Sequence, residues 1–155
     1  MKISKVLAYR IKRNHPALYT VEPDANVKEV AWYMSQNNIG GALVKKAAPA
    51  IDEYLGIVSE RDIVKCCAIC DDIDSIKVKS IMSEGMITAD INDNAVKVSR
   101  KMYENHIRHI PLSNNGKIIA LISIRDLIYC IDREKDLMMT HMNDVCGNLH
   151  YNTNY

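Results

Sequence analysis

Apolar and polar residues alternate along this chain in a pattern that occurs twice. Val27, Val30, Ala31 and Met34 fall at i, i+3, i+4 and i+7, the spacing that lines one face of a helix. Ala95, Val98, Ser99 and Met102 repeat that spacing further on. Each helix follows an extended opening, Leu18 to Val21 or Met86 to Ala89, with Asp24 and Asn92 or their neighbours as caps. Two strands come next, Ala42 to Val44 and Leu55 to Val58 in one unit, Ile110 to Leu112 and Ile118 to Ile122 in the other. The second pair is joined by Asn114-Asn115-Gly116, residues that tolerate the positive φ of a tight hairpin. The first pair is joined by a longer loop around Pro49. A closing helix starts near Asp62 and near Asp126.

The pattern is a true internal repeat. With Thr20 placed over Thr88, Asn26 meets Asn94, Val30 meets Val98, Met34 meets Met102, Asn37 meets Asn105 and Ile39 meets Ile107. After the loop the register resumes four residues shorter: Ser59 meets Ser123, Arg61 meets Arg125, Asp62 meets Asp126 and Cys66 meets Cys130. A third echo precedes each unit, where Ile3, Val6 and Leu7 match Val78, Ile81 and Met82. The order β-α-β-β-α, twice, is an α+β architecture. Neither small sheet buries its apolar face alone, so the units are expected to pack through their sheets about a pseudo-twofold axis. The divisions expected are residues 1–75 and 76–135 for the repeats. Residues 136–155 then read as a short helix (Leu137, Met138, Met142, Val145) and a polar, frayed end from Gly147.

Composition narrows the function. The 155 residues are 48% hydrophobic and 25% charged, ordinary for a globular protein, with a formal net charge of +1. That balance argues against nucleic acid or an acidic membrane as a general partner. Lys2, Lys5, Arg10, Lys12 and Arg13 read as the solvated face of a helix. Charges interrupt the early apolar residues, leaving neither a signal-peptide core nor a membrane span. Five cysteines, three of them at Cys66, Cys67 and Cys70, fit a reducing cytoplasm better than a disulfide framework. Cys67 and Cys70 lack the second Cys pair of a zinc site, and buried helical thiols are the simpler reading. His106 and His109 lack a nearby carboxylate pair for a metal. No phosphate loop, nucleophile elbow or paired-acid arrangement supports catalysis.

The strand-to-helix corners are the places where a ligand could sit. They read Gly-Ile-Val-Ser-Glu-Arg-Asp at 56–62 and Ala-Leu-Ile-Ser-Ile-Arg-Asp at 120–126. A helix N-terminus presents unpaired N–H groups that suit phosphate, Ser59 or Ser123 adds a hydroxyl, and Arg61 or Arg125 a guanidinium. Asp62 and Asp126 suit a ribose diol. Ser-x-x-Asp ahead of an apolar run is equally a helix capping box. From the residues alone the two readings stand side by side.

These corners, with Ile-Gly-Gly-Ala-Leu-Val at 39–44 and Ile-Arg-His-Ile-Pro-Leu at 107–112, resemble a CBS-domain pair over about residues 1–135, closest to small stand-alone pairs. The resemblance implies an adenosine ligand in clefts between the repeats: AMP is favoured, with ADP, ATP, S-adenosylmethionine or NAD as the others. It carries ribose binding onto Asp62 and Asp126 and phosphate binding onto Ser59 and Ser123. The adenine is expected between the opening strand and the strand before the hairpin, at Thr20, Val21, Thr88, Ala42, Ile110 and Pro111. Arg108 and His109 match a basic pair that reaches phosphate. It also implies a homodimer and a regulated protein that the sequence does not name. Ala120 and Arg125 stand where such proteins commonly have Gly, and the loop from Ala47 to Glu53 is longer than usual. A ligand-free pair acting through protein contacts, and a cysteine-based redox sensor, are the alternatives.

Overall fold

The computed structural model describes residues 1–13, 15–47 and 53–150, with side chains through Met142. The expected loop around Pro49 therefore lies outside the described residues. The first repeat comprises β1 (Thr20–Val21), α2 (Val27–Gln36), β2 (Gly41–Lys46), β3 (Glu53–Ser59) and α3 (Glu60–Ile69), after a leading helix α1 (Ile3–Lys12). The second follows a 3₁₀ turn at Val78–Ser80 with β4 (Ala89–Asp90), α4 (Ala95–Glu104), β5 (His109–Asn114), β6 (Lys117–Ser123) and α5 (Ile124–His150). Each sheet has three strands, with a parallel β1–β2 or β4–β5 pair and an antiparallel β2–β3 or β5–β6 pair.

The repeat extends to irregular features. The ladder slips between Val44 and Lys45 in one sheet and between Leu112 and Ser113, the equivalent residues, in the other. Asn38 and His106, also equivalent, both take the left-handed conformation that ends α2 and α4, at φ 51° and 55°. The caps are Asn26 and Asn94, two residues beyond Asp24 and Asn92. Their side chains accept from the N–H of Glu29 and of Val96. At the hairpin, Asn115 and Gly116 both have positive φ, as the turn chemistry requires.

The leading segments cross over between repeats. Ile3, Val6 and Leu7 of α1 are buried in the core of the second repeat, with Val98, Met102, Ile110 and Leu127. Val78, which leads the second repeat, is buried in the core of the first, with Val30, Met34, Ala42 and Val58. The backbone bonds match: Ile3 N–H donates to Asp93 O and Val78 N–H to Ala25 O, each at 2.9 Å. Ala95 N–H donates to Met1 O at 3.0 Å, and Val27 N–H to Ile76 O at 2.9 Å. Each repeat therefore completes its core with the other's lead-in. On the opposite strand faces Leu43, Pro111 and Leu121 are buried as well, so the central strands are covered on both sides.

Two expectations change. The helix closing the second repeat does not stop near residue 136 to restart. It runs unbroken from Ile124 through Gly147 to His150, because no proline or strong stop signal interrupts 124–146. Of the neighbouring cysteines, Cys66 is buried but Cys67 is exposed, and Cys70 is the extended residue that ends α3. Burial, followed by its neighbour Cys70, pushes the Cys66 thiol above its ordinary range. Among the described residues, no helix is long and apolar enough to cross a membrane, and no three His, Cys, Asp or Glu side chains gather as a metal site would require.

Candidate functional site at the junction of the repeats

Both corners form at the first turn of a helix that leaves the edge of a sheet. In the first, Asp62 Oδ2 accepts from the Ser59 N–H at 2.9 Å and from the Ser59 hydroxyl at 2.6 Å. In the second, Asp126 Oδ2 accepts from the Ser123 N–H at 2.8 Å and from its hydroxyl at 2.7 Å. Both corners are thus capping boxes in geometry, the local reading of Ser-x-x-Asp. These contacts all use Oδ2, and among the described residues Oδ1 of neither aspartate has a hydrogen-bond partner.

The two corners converge on His109. Its imidazole lies at the first position of β5, against Gly40 and Gly41 at the start of β2. Burial, followed by the nearby Arg108 guanidinium, lowers its pKa, while Glu60 from one corner and Asp126 from the other pull it back up. Arg61 crosses between repeats, donating from Nη1 to the His106 carbonyl at 3.0 Å. A cavity of about 670 Å³ opens beside this crossing, lined by Arg61, Tyr103, Ile107, Arg108, Ile124 and Ile128 among others. Its volume suits a nucleotide-sized molecule, and its apolar walls with two guanidiniums suit one that is part apolar and part anionic.

The structure brings Ser59, Arg61, Asp62, Arg108, His109, Ser123 and Asp126 to this junction. Of the expected ligand contacts only Arg61 and Arg108 line the cavity itself. Arg125 is exposed, as are Arg108 and Thr20, while Val21 and Thr88 are half-buried. Ala42, Ile110 and Pro111 are buried, so they present no side-chain surface to a ligand in this state. Ala120, in the place of a common glycine, sits fully buried in the second core.

Sequence reasoning missed Arg10. It reads as one charge of a solvated helix face, yet its Nη1 lies 2.8 Å from Asp126 Oδ2 and its side chain is only 11% exposed. The signal available was its place three residues after the Leu7 that matches Met82, which sets it where α1 reaches the other repeat. Gly40 and Gly41 belong to the 39–44 motif, and the space their missing side chains leave is taken by the His109 ring, a fit between repeats that the motif does not reveal.

Comparison with known proteins agrees with this architecture. The family model for the CBS domain matches twice, at residues 11–68 and 78–133. The chain belongs to the CBS-domain family. As a CBS pair it is similar to an uncharacterised 17.7 kDa protein of Acidianus ambivalens, 33% identical over 111 residues. That match takes in 71% of this chain but 65% of the other, so the chain spans less than two thirds of this curated relative. Among solved structures, a CBS-domain-containing protein of Agrobacterium tumefaciens superposes with a TM-score of 0.72 at 26% identity, covering 83% of this chain and 91% of that one. A CBS-domain protein of Pyrobaculum aerophilum, solved in complex with AMP, gives 0.68 at 27%, covering 81% and 89%. The tandem α+β pair expected from the internal repeat is therefore what the chain forms.

Proposed function

We propose that this CBS pair is a non-catalytic regulatory module that binds an adenosine nucleotide between its repeats, AMP being the favoured ligand. The observation that carries the reading is the first corner, where Arg61, flanked in sequence by Ser59 and Asp62 at a helix N-terminus, lines a cavity that Arg108 of the other repeat also lines. The open Oδ1 of Asp62 accepts from the ribose diol, the N-terminus of α3 meets phosphate together with the Ser59 hydroxyl once that hydroxyl turns from Asp62 Oδ2 to the ligand, and the two guanidiniums complete the charge. The AMP complex of the Pyrobaculum protein, at 27% identity, supports the ligand class.

Signalling follows from the crossed lead-ins. Each repeat is completed by a segment of the other, so a ligand favouring one relative arrangement of the repeats shifts the population of the whole chain. The module works in the cytoplasm as a homodimer, and a regulated protein reads its outer surface. Thermal unfolding against millimolar AMP, ATP, S-adenosylmethionine and NAD tests this. A ligand at about a hundred times its dissociation constant adds roughly 2.7 kcal/mol, a shift of several degrees for a chain of this length. No shift with any of them replaces this reading with a module that acts through protein contacts alone, in which Ser59 and Asp62 only cap α3.

A further inference from the structure

The two corners are matched in sequence but not in surroundings. Beside Asp126 stands Arg10, whose Nη1 donates to Oδ2 at 2.8 Å and whose Nε donates to the Pro16 carbonyl at 3.2 Å. The residue is held there by its own helix, since Ile3, Val6 and Leu7 anchor α1 in the second core. The repeat places Gly85 at the position equivalent to Arg10, three residues after Met82 as Arg10 is three after Leu7. Gly85 has φ +64° and open space where a β-carbon would be. Asp62 thus accepts only from Ser59 among the described residues, whereas Asp126 is also neutralised by a guanidinium.

Resting on the nucleotide reading above, we propose that the chain binds one nucleotide, at Asp62, and that Arg10 holds the second corner closed. A ribose diol gains most from an acceptor whose charge is uncompensated. Asp62 offers that charge. At Asp126 one oxygen already carries three donors, from Ser123 twice and Arg10 once, and the side chain is 26% exposed. A ligand there would have to separate an ion pair that is largely out of water, which leaves a buried guanidinium without its partner. Duplication made two sites, and one inserted cation makes them unequal.

Calorimetric titration of the full chain with AMP tests the assignment. The wild-type chain takes one AMP per chain, and Asp62→Asn weakens that binding about tenfold or more. Arg10→Gln raises the stoichiometry to two, and adding Asp62→Asn to it returns the value to one. Two equivalent AMP molecules on the wild-type chain overturn the latch, as do a single site that survives Asp62→Asn at full affinity and an Arg10→Gln chain that still takes one. Should Arg10→Gln fail to fold, Arg10→Met, which keeps the aliphatic stem and removes the guanidinium, is titrated in its place with the same two-site result expected and the same one-site result overturning the latch. Should AMP bind none of these chains, ATP, S-adenosylmethionine and NAD are titrated in turn; binding of none of the four removes the nucleotide reading together with the latch, a result distinct from two-site binding, which removes the latch alone.

Discussion

The imidazole of His109 occupies the space that a side chain at Gly41 would need. A β-carbon added to Gly41 would come within 3.0 Å of both Cγ and Nδ1 of that ring. The two residues are equivalent in the repeat, each opening the second strand of its sheet. The pseudo-twofold junction has room for one side chain there, and the second repeat supplies it.

Gly41→Ala should therefore destabilise the chain. The ring must shift within a packed junction, at a cost of about 1–3 kcal/mol, which lowers the midpoint of thermal unfolding by several degrees. Adding His109→Ala should return most of the loss, because it removes the atoms that clash. A Gly41→Ala chain that melts with the wild type shows that the junction gives way easily.

His109 also makes stability depend on pH. An imidazole ordinarily titrates near pH 6.5, and burial with the neighbouring Arg108 holds this one lower. The folded chain then binds fewer protons than the unfolded chain between the two values. Stability is complete above the unfolded value and falls as pH drops through it towards the folded one, by at most about 1.4 kcal/mol per pH unit for one group. Urea midpoints compared from about pH 7.5 to about pH 5.5 should fall more for the wild type than for His109→Gln. Equal slopes would mean that His109 protonates freely in the folded state.

The crossed lead-in of the second repeat rests on Gly56. A β-carbon at Gly56 would lie 2.6 Å from the Ser83 carbonyl oxygen, and Ile57 and Ser83 exchange two backbone bonds of 2.8 and 3.0 Å. Backbone cannot swing aside as a flexible side chain does. Gly56→Ala should cost at least as much as Gly41→Ala and should not be rescued by His109→Ala. The equivalent Ala120 is fully buried in the second core, so Ala120→Gly should cost about 1 kcal/mol through lost packing and added chain entropy. Denaturant unfolding of both variants measures the contrast.

The helical faces leave apolar side chains in water. Val64 of α3 and Ile128 of α5 are equivalent positions and both are exposed, as are Trp32 and Tyr103, the last at 81%. The homodimer proposed for the module places these faces against a second copy. Wild type should sediment above the 17.6 kDa of one chain, and Val64→Glu with Ile128→Glu should sediment as a monomer. A wild-type monomer overturns the dimer.

Much of this architecture was readable in the residues. The spacing of Val27, Val30 and Met34, repeated by Ala95, Val98 and Met102, marked both crossover helices, and all six are buried. The Asn115-Gly116 turn and the Ser59–Asp62 and Ser123–Asp126 corners were equally visible. They are local, so dihedral preference and hydrogen bonds within a few residues determine them. The echo of Ile3, Val6 and Leu7 in Val78, Ile81 and Met82 showed that the lead-ins correspond, but not that each serves the other repeat's core.

Sequence by itself determined that there are two copies of one β-α-β-β-α unit, where their strands and helices lie, and which side chains stand at each corner. Tertiary structure alone decided how the copies differ. Arg10 meets Asp126 across 116 positions of chain, and His109 meets Gly41 across the junction. Hydrophobic periodicity specifies which face of an element is buried, whereas an ion pair or a steric fit between distant segments depends on how whole elements are placed. In this chain that placement is what gives two matching corners different surroundings, with a guanidinium beside Asp126 and, among the described residues, no counterpart of it beside Asp62.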